Sequence, residues 1–288
     1  MEHNKQIQGL LTYMPTKPIL LAGPWQGEFG WELMRWHAGL RYLARTGNYD
    51  KVVVAIQKGH ELLYQDFADE ILYVPRGNNT DGWKNDHHAP QFSKMIIDSV
   101  YKKYPFHKLQ IYNPNEKSTL GNENQLFIHF GKKTEENSYD LIIHARNTGK
   151  SKSARRNWNQ KHWIEVIKYF KKYDIKMACI GMKEQSMHFS SVDNHIGISL
   201  EPLSNILASS KLIIGPSSGP MHLATLCGCP QLVWTDKKKW ISLGMQSNRY
   251  RYETLWNPFG IKTYILDDCN WQPQVSVVIR EIKKILHI

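Results

Sequence analysis

Lys211-Leu-Ile-Ile-Gly-Pro-Ser-Ser-Gly-Pro-Met-His-Leu-Ala-Thr-Leu-Cys227 is the stretch that decides the fold. An apolar run, Lys211–Ile214, stops at a Gly-Pro pair and resumes as an apolar segment over Gly219–Cys227, so a buried strand turns directly into a helix. Pro220 is expected at the first helical position, where a missing N–H is harmless. The free N–H groups of that first turn, with the Ser217 and Ser218 hydroxyls, make a site for an anion. Gly219 and Met221 belong to the same turn, and His222, two residues inside, is placed to reach a phosphate or a ribose.

Working outward, the same alternation runs along the whole chain. Pro18–Ala22 reads as a strand, residues 30–45 as an amphipathic helix, Lys51–Ile56 as a strand, Glu61–Asp69 as helical, Glu70–Val74 as extended and Phe92–Lys103 as a helix. The polar stretches Asn113–Asn124 and Gly131–Ser138 interrupt it. The pattern restarts with a strand at Tyr139–His144, a helix at Gln160–Tyr173, a strand at Lys176–Ile180 and a helix at Glu201–Ser209, and after Gln231–Trp234 closes with a helix at Val275–Leu286. The fold class is therefore α/β, with two doubly wound domains in tandem and a boundary at 137/138. Ligands of such sheets bind beyond the carboxyl ends of the strands.

Two further strand-to-helix junctions are candidates. In Gly23-Pro-Trp-Gln-Gly-Glu-Phe-Gly-Trp-Glu-Leu33, glycines flank Glu28, and Glu32 follows one helical turn later. Either carboxylate could take a proton from a hydroxyl, or simply favour the positive end of the helix. In His144-Ala-Arg-Asn-Thr-Gly-Lys-Ser-Lys-Ser-Ala-Arg-Arg-Asn-Trp158, six basic residues (Arg146, Lys150, Lys152, Arg155, Arg156 and the following Lys161) occur with no acid between them. Gly149-Lys150-Ser151 lacks the leading glycine of a phosphate loop, because His144 stands there. A basic loop meeting a diphosphate through charge and forked guanidinium bonds is the better reading; a solvated loop is the plain alternative.

These residues resemble a known family. Ile213–Ala224, with the lead-in Ile198–Leu212, is similar to the donor-binding signature of the ADP-heptose:lipopolysaccharide heptosyltransferases and their relatives, which are GT-B glycosyltransferases. Gly27-Glu28 resembles that family's Gly-acid pair, and Arg155-Arg156-Asn157-Trp158 its basic residue beside a tryptophan, with one residue inserted. The resemblance implies two Rossmann-like domains facing across a cleft. Residues 1–137 would be the acceptor side and 138–288 the nucleotide-sugar side, with the last helix a candidate to pack back on the first domain. It implies an inverting sugar transfer in which Glu28 or Glu32 is the base. Gly27, Arg146, Arg156, Trp158, Ser217, Ser218, Gly219, Met221 and His222 would hold the donor, a UDP- or ADP-sugar used as co-substrate. The family's usual acid is replaced by Ser217, and the chain is short for the family. No Asp-x-Asp occurs, so no metal is expected and the leaving diphosphate would be met by backbone and basic groups.

The chain has 288 residues, 41% hydrophobic and 22% charged, which excludes a mini-protein and a disordered tract. It has no run of roughly 20 apolar residues and no signal-peptide layout, so a soluble, cytoplasmic protein is expected, in host cytoplasm if the source is viral. The four cysteines fit neither a disulfide framework nor paired zinc knuckles. Charge is lopsided: the net is +1 over residues 1–137 and +10 over 138–288. The second half must meet something anionic. Besides the 146–161 run, Lys237, Lys238, Lys239, Arg249 and Arg251 are basic, with Trp158, Trp163, Trp240, Tyr250 and Tyr252 interleaved. Basic charge with rings is a nucleic-acid pattern. On that ground the favoured acceptor is a hydroxymethylated pyrimidine in DNA, contacted by Trp25, Trp31, Lys150, Lys152, Arg155 and the 237–251 cations. The alternative is a cell-surface saccharide or lipopolysaccharide core, with peripheral membrane contact. A non-catalytic nucleotide- or nucleic-acid-binding module and a phosphate-loop kinase are the readings from other classes.

Overall fold

A computed structural model describes residues 17–25, 27–75, 89–114, 124–136, 138–149, 154–238, 241 and 246–288. The chain divides into two units, Met1–Leu126 and Phe127–Ile288.

The first unit is built on a four-stranded parallel sheet of order β3-β2-β1-β4: β1 (Ile19–Ala22), β2 (Lys51–Gln57), β3 (Glu70–Val74) and β4 (Leu109–Tyr112). The two central strands are apolar almost throughout, because helices cover both of their faces. Between β1 and β2 lies helix α1, α-helical at Phe29–Trp31, π-helical at Glu32–Trp36 and α-helical again at His37–Thr46. Helix α2 (Ala89–Lys103) precedes β4 and buries Ile96 and Val100 against Ile19, Leu21 and Val53. Gly23, with φ +100°, ends β1; a side chain there would collide with the Ala55 carbonyl.

The second unit holds a six-stranded parallel sheet of order β10-β9-β8-β5-β6-β7. Its strands are β5 (Leu141–Ile143), β6 (Met177–Gly181), β7 (Asp193–Ile196), β8 (Ile213–Pro216), β9 (Gln231–Trp234) and β10 (Thr263–Leu266). Renumbered within the unit this is the 3-2-1-4-5-6 order of a doubly wound dinucleotide-type sheet, and the order reverses between β5 and β8. The helices are α3 (Gln160–Phe170), α4 (Leu200–Ser209), α5 (Gly219–Leu226), α6 (Asn248–Tyr250, continuing as a π turn over Arg251–Leu255) and α7 (Val275–Leu286). Asn159 caps α3 by accepting from the Lys161 amide at 2.9 Å. Three tryptophans, Trp158, Trp163 and Trp234, meet in the core beside Leu141, Phe170, Val278 and Ile282.

Several expectations change. The boundary lies before residue 127, because the segment expected to link the domains is tied into the second. Phe130 N–H donates to the Leu226 carbonyl (2.9 Å), Lys132 N–H to Asn205 Oδ1 (2.8 Å) and Thr134 N–H to Ser209 Oγ (2.9 Å). The closing helix α7 places Val278 and Ile282 in the core of its own unit. Glu61–Asp69 is only a short 3₁₀ turn at Glu61–Leu63 followed by turns. Strand β8 sits two residues later than expected, and α5 starts at Gly219, which moves Pro220 to the second helical position. Strands β4, β7 and β10 and helix α6 were not expected at all.

Among the described residues, no helix is long and apolar enough to cross a membrane, and no three His, Cys, Asp or Glu side chains cluster as metal ligands would.

Candidate functional site

The crevice at the switch between β5 and β8 is assembled from three chain segments of the second unit. Strand β8 ends at Pro216, and Ser218 enters α5 in extended conformation. Its hydroxyl turns back to donate to the Pro216 carbonyl (2.9 Å), so no side chain caps the helix; Pro220 has no N–H and the Met221 N–H donates to the Ser218 carbonyl (3.0 Å), which leaves the Gly219 amide of the first turn to meet an anion. Ser217 is held on three sides. Its N–H donates to the Trp234 carbonyl (3.0 Å), its carbonyl accepts from Arg156 Nη1 (3.4 Å), and its Oγ accepts from the Tyr252 hydroxyl (2.9 Å).

Helix α6 supplies an aromatic wall that the chain order does not advertise. Ser247 caps it by accepting from the Tyr250 amide (3.1 Å), and the π turn that follows carries Tyr252 and Trp256 over the start of α5. The His222 ring lies nearly parallel to Tyr252, with centroids 5.3 Å apart, and edge-on to Trp256 at 4.8 Å. Burial, aided by the Arg156 charge, pushes His222 down to about 3, so the ring is neutral. Its Nδ1 is buried with no hydrogen-bond partner among the described residues. Burial raises the Tyr252 phenol well above its ordinary value, leaving it a donor to Ser217.

Arg156 comes from the loop after β5. Its guanidinium lies over the Trp271 ring at 5.2 Å from the centroid, and its buried Nε has no partner among the described residues. The loop is pinned behind it: Gln272 Nε2 donates to the carbonyls of Arg155 (2.9 Å) and Asn157 (3.0 Å), and the Asn157 side chain bonds Thr148 and Arg146. An arginine held over a ring beside an uncapped helix start suits a diphosphate.

At the carboxyl end of β1 in the first unit, the two candidate acids have different surroundings. Glu28 is the half-buried N-cap residue of α1, and its carboxylate has no partner among the described residues. Its main-chain carbonyl accepts from Trp25 Nε1 (3.3 Å) and from the amides of Trp31 (3.0 Å) and Glu32 (3.2 Å). Glu32 is 2% exposed, with the Tyr64 hydroxyl donating to one oxygen (2.7 Å) and His60 Nδ1 2.8 Å from the other. Gly27 is buried.

The structure brings Arg156, Ser217, Ser218, Gly219 and His222 together and removes others from the surface. Trp158 is a core residue whose indole donates to the Pro273 carbonyl (3.0 Å), so it braces Arg156 from behind rather than touching a ligand. Met221 and Trp25 are likewise interior, Trp25 lying 6.0 Å from Trp36 in a stack. Trp31 is half-buried and Arg155 exposed. Lys150, Lys152 and Lys239 lie outside the described residues, as does Trp240.

Among the described residues, much of the basic-aromatic pattern expected to meet nucleic acid is engaged inside the protein, although Tyr250 stays exposed. Trp163 and Tyr252 are fully buried, and Arg251 is buried over the Trp256 ring. Arg249 grips Asp267 through two bonds of 2.9 and 2.7 Å. Lys237 pairs with Asp268 (3.1 Å), and Lys238 is exposed. Sequence reasoning missed Tyr252, Trp256 and Trp271 as parts of the site; an aromatic pair at i, i+4 in 252–256 is the one local signal.

No family model and no curated protein matches the chain in sequence. Solved structures do match its fold. A glycosyl transferase family 9 protein from Veillonella parvula superposes with a TM-score of 0.60 at 14% identity, over 94% of this chain and 97% of that one. The E. coli ADP-heptose lps heptosyltransferase II gives 0.60 at 11% identity, over 94% and 98%. An E. coli heptosyltransferase solved with ADP gives 0.56 at 11% identity, over 93% and 99%. The chain has a heptosyltransferase-like GT-B fold.

Proposed function

We propose that this GT-B chain is an inverting glycosyltransferase that moves a sugar from a nucleoside-diphosphate sugar to a saccharide hydroxyl. The observation that carries the proposal is the crevice at the β5/β8 switch. It combines an uncapped helix start, the Arg156 guanidinium fixed on Trp271, and a neutral His222 ring held between Tyr252 and Trp256.

In this reading the donor diphosphate lies at the first turn of α5, with Arg156 and the Gly219 amide stabilising the negative charge that grows as it leaves. Glu28 removes the proton from the acceptor hydroxyl. The new bond joins that oxygen to the anomeric carbon, the anomeric carbon–phosphate oxygen bond breaks, and the nucleoside diphosphate departs with the electron pair. Attack opposite the leaving group inverts the anomeric centre. Arg156 carries the counter-charge a divalent ion would otherwise bring, so turnover is expected to persist in a chelator.

An ADP-sugar is favoured over a UDP-sugar, since a neighbour of the same fold was solved with ADP. A saccharide is favoured over DNA on two grounds. A neighbour of the same fold is named for lps, and four of the rings expected to receive unstacked bases, Trp25, Trp158, Trp163 and Tyr252, are inside the protein.

The test is to incubate the protein with ADP- and UDP-sugars and either lipopolysaccharide-core saccharides or hydroxymethylated DNA, following diphosphate release and product mass. Acceptor-dependent release with added mass on the saccharide is expected. Glu28→Gln is expected to lose about 100-fold or more in turnover with donor affinity unchanged. Mass added to a DNA base, or no binding of any nucleotide sugar, would overturn the proposal.

A further inference from the structure

The second unit carries a second basic feature, remote in sequence from the phosphate crevice. Helices α3 and α7 pack side by side, and the seam between them opens outward as a groove of about 650 Å³ lined by Lys161, Ile164, Glu165, Lys168, Lys172 and Ile279 together with Tyr169. Lys161 and Lys168 stand at i and i+7 on one face of α3, and Lys172 follows in the turn just after the helix. All three are exposed. Ile164 and Tyr169 of α3 and Ile279 of α7 are only partly buried and form an apolar strip between the cations.

More cations flank the groove. Lys171 is exposed at the end of α3, with the exposed Asp174 three residues on, Lys284 is exposed on α7, and Lys283 approaches the Tyr173 ring to 5.9 Å. The carboxylates facing this side are few. Glu165 lines the groove without an ion pair among the described residues, and Glu281 is engaged by Arg280 (3.0 Å). This face therefore holds much of the positive charge that one diphosphate does not require.

We propose that the α3/α7 face docks the protein on an anionic lipid bilayer, with the groove lysines on headgroup phosphates and the Ile164/Ile279 strip at the headgroup boundary. The chemistry favours a bilayer over a nucleic acid. Every cation lining the groove is a lysine, a point charge on a long apolar stem that can lie along the strip while its ammonium reaches outward. No forked guanidinium lines it, and the half-buried tyrosine rings pack edge-on or tilted against Phe170 and each other rather than being offered for stacking. A charged face with an apolar stripe is the pattern of interfacial binding, and juxtaposed lysines add their attractions to anionic lipid. The inference does not rest on the reaction proposed above: the surface stands whatever the crevice binds.

Co-sedimentation of the full chain with phosphatidylcholine vesicles, with and without phosphatidylglycerol, tests it. Binding only to the phosphatidylglycerol vesicles, released by added salt, is expected. The combined variant Lys161→Glu, Lys168→Glu, Lys172→Glu should partition about tenfold less or weaker still. A charge-matched variant of the first unit, Lys58→Glu, Lys102→Glu, Lys108→Glu, should bind like the wild type, and melting curves would verify that both variants fold. Equal binding to neutral vesicles, an equal loss in the control variant, or an unchanged groove variant would each overturn the proposal. So would loss of duplex DNA binding in the groove variant when the wild type ignores vesicles. Transfer of sugar to a soluble acceptor, measured in parallel, reports on the crevice separately and should be the same in a Lys168→Glu, Lys172→Glu variant as in the wild type.

Discussion

The Tyr252 hydroxyl donates to Ser217 Oγ across 2.9 Å, which ties helix α6 to the first residue beyond β8. Both groups are buried, so the bond fixes which way the serine hydroxyl faces and leaves its own proton free for a ligand oxygen.

Removing either partner should therefore disturb the same contact. Tyr252→Phe and Ser217→Ala are each expected to weaken nucleoside-diphosphate binding several-fold and to cost about 1 kcal/mol of stability. Because they share one bond, the double variant should be little worse than either single one. Calorimetric binding constants for the four proteins give the answer, and fully additive losses would mean that the pair does not act together.

Glu28 and Glu32 are separated by one helical turn and should fail differently. Glu32 receives the Tyr64 hydroxyl and lies against His60 while 2% exposed, so Glu32→Gln disrupts a buried pairing and should lower stability by about 1–3 kcal/mol. Glu28→Gln, at a half-buried cap with no side-chain bond, should melt as the wild type does. A Glu32→Gln protein that keeps wild-type stability yet is inactive would move the base to Glu32.

The contrast between these two acids shows what a linear reading can reach. The junction at 217–219 was legible because strand, turn and helix start are adjacent in the chain. The loop at 146–156 was legible as an anion contact because its charge is uninterrupted. Tyr252, Trp256 and Trp271 stand 35, 39 and 54 residues beyond Ser217, and only the folded sheet brings them to Ser217 and Arg156. The same blindness produced the nucleic-acid reading. Arg249 looks like a free cation beside rings until β10 presents Asp267 to it, and Trp158 looks like a ligand contact until Trp163 and Trp234 close around it. Strands β4, β7 and β10 escaped because, unlike β1, β8 and β9 of the same length, none is buried throughout, and Asp193–Ile196 at the sheet edge is largely polar.

Two buried histidines make the second unit acid-sensitive. Burial holds His222 down at about 3 and His144 at about 4, in the latter case against the opposing pull of the Ile180 carbonyl. An unfolded chain would protonate both below the ordinary 6.5, whereas the folded one does not until these lower values. Stability is thus complete above that ordinary value and declines as pH falls, by about 1.4 kcal/mol per pH unit for each ring in the window between. Melting temperatures should drop between about pH 7 and pH 5, and His144→Asn or His222→Asn should flatten the slope. A melting temperature that stays level over that range would refute the assignment of neutral, buried rings.

Arg249 separates a structural ion pair from a surface contact. Its forked bonds to Asp267, a carboxylate only 8% exposed, hold that group below the usual carboxylate range. The pair should stabilise the fold above the ordinary carboxylate value and cease to do so as pH falls through the depressed one. Arg249→Ala should therefore lower the melting temperature at neutral pH, and the deficit should shrink in acid as Asp267 protonates. Had Arg249 and Arg251 been phosphate contacts, their removal would instead leave stability nearly intact, weaken DNA binding across all sequences and reduce its salt slope. Melts of both variants and DNA titrations at two salt concentrations distinguish the cases. With Arg251 buried against Trp256, Arg251→Ala is expected to be the more destabilised of the two, and neither variant is expected to change the salt dependence of whatever nonspecific DNA binding the wild type shows.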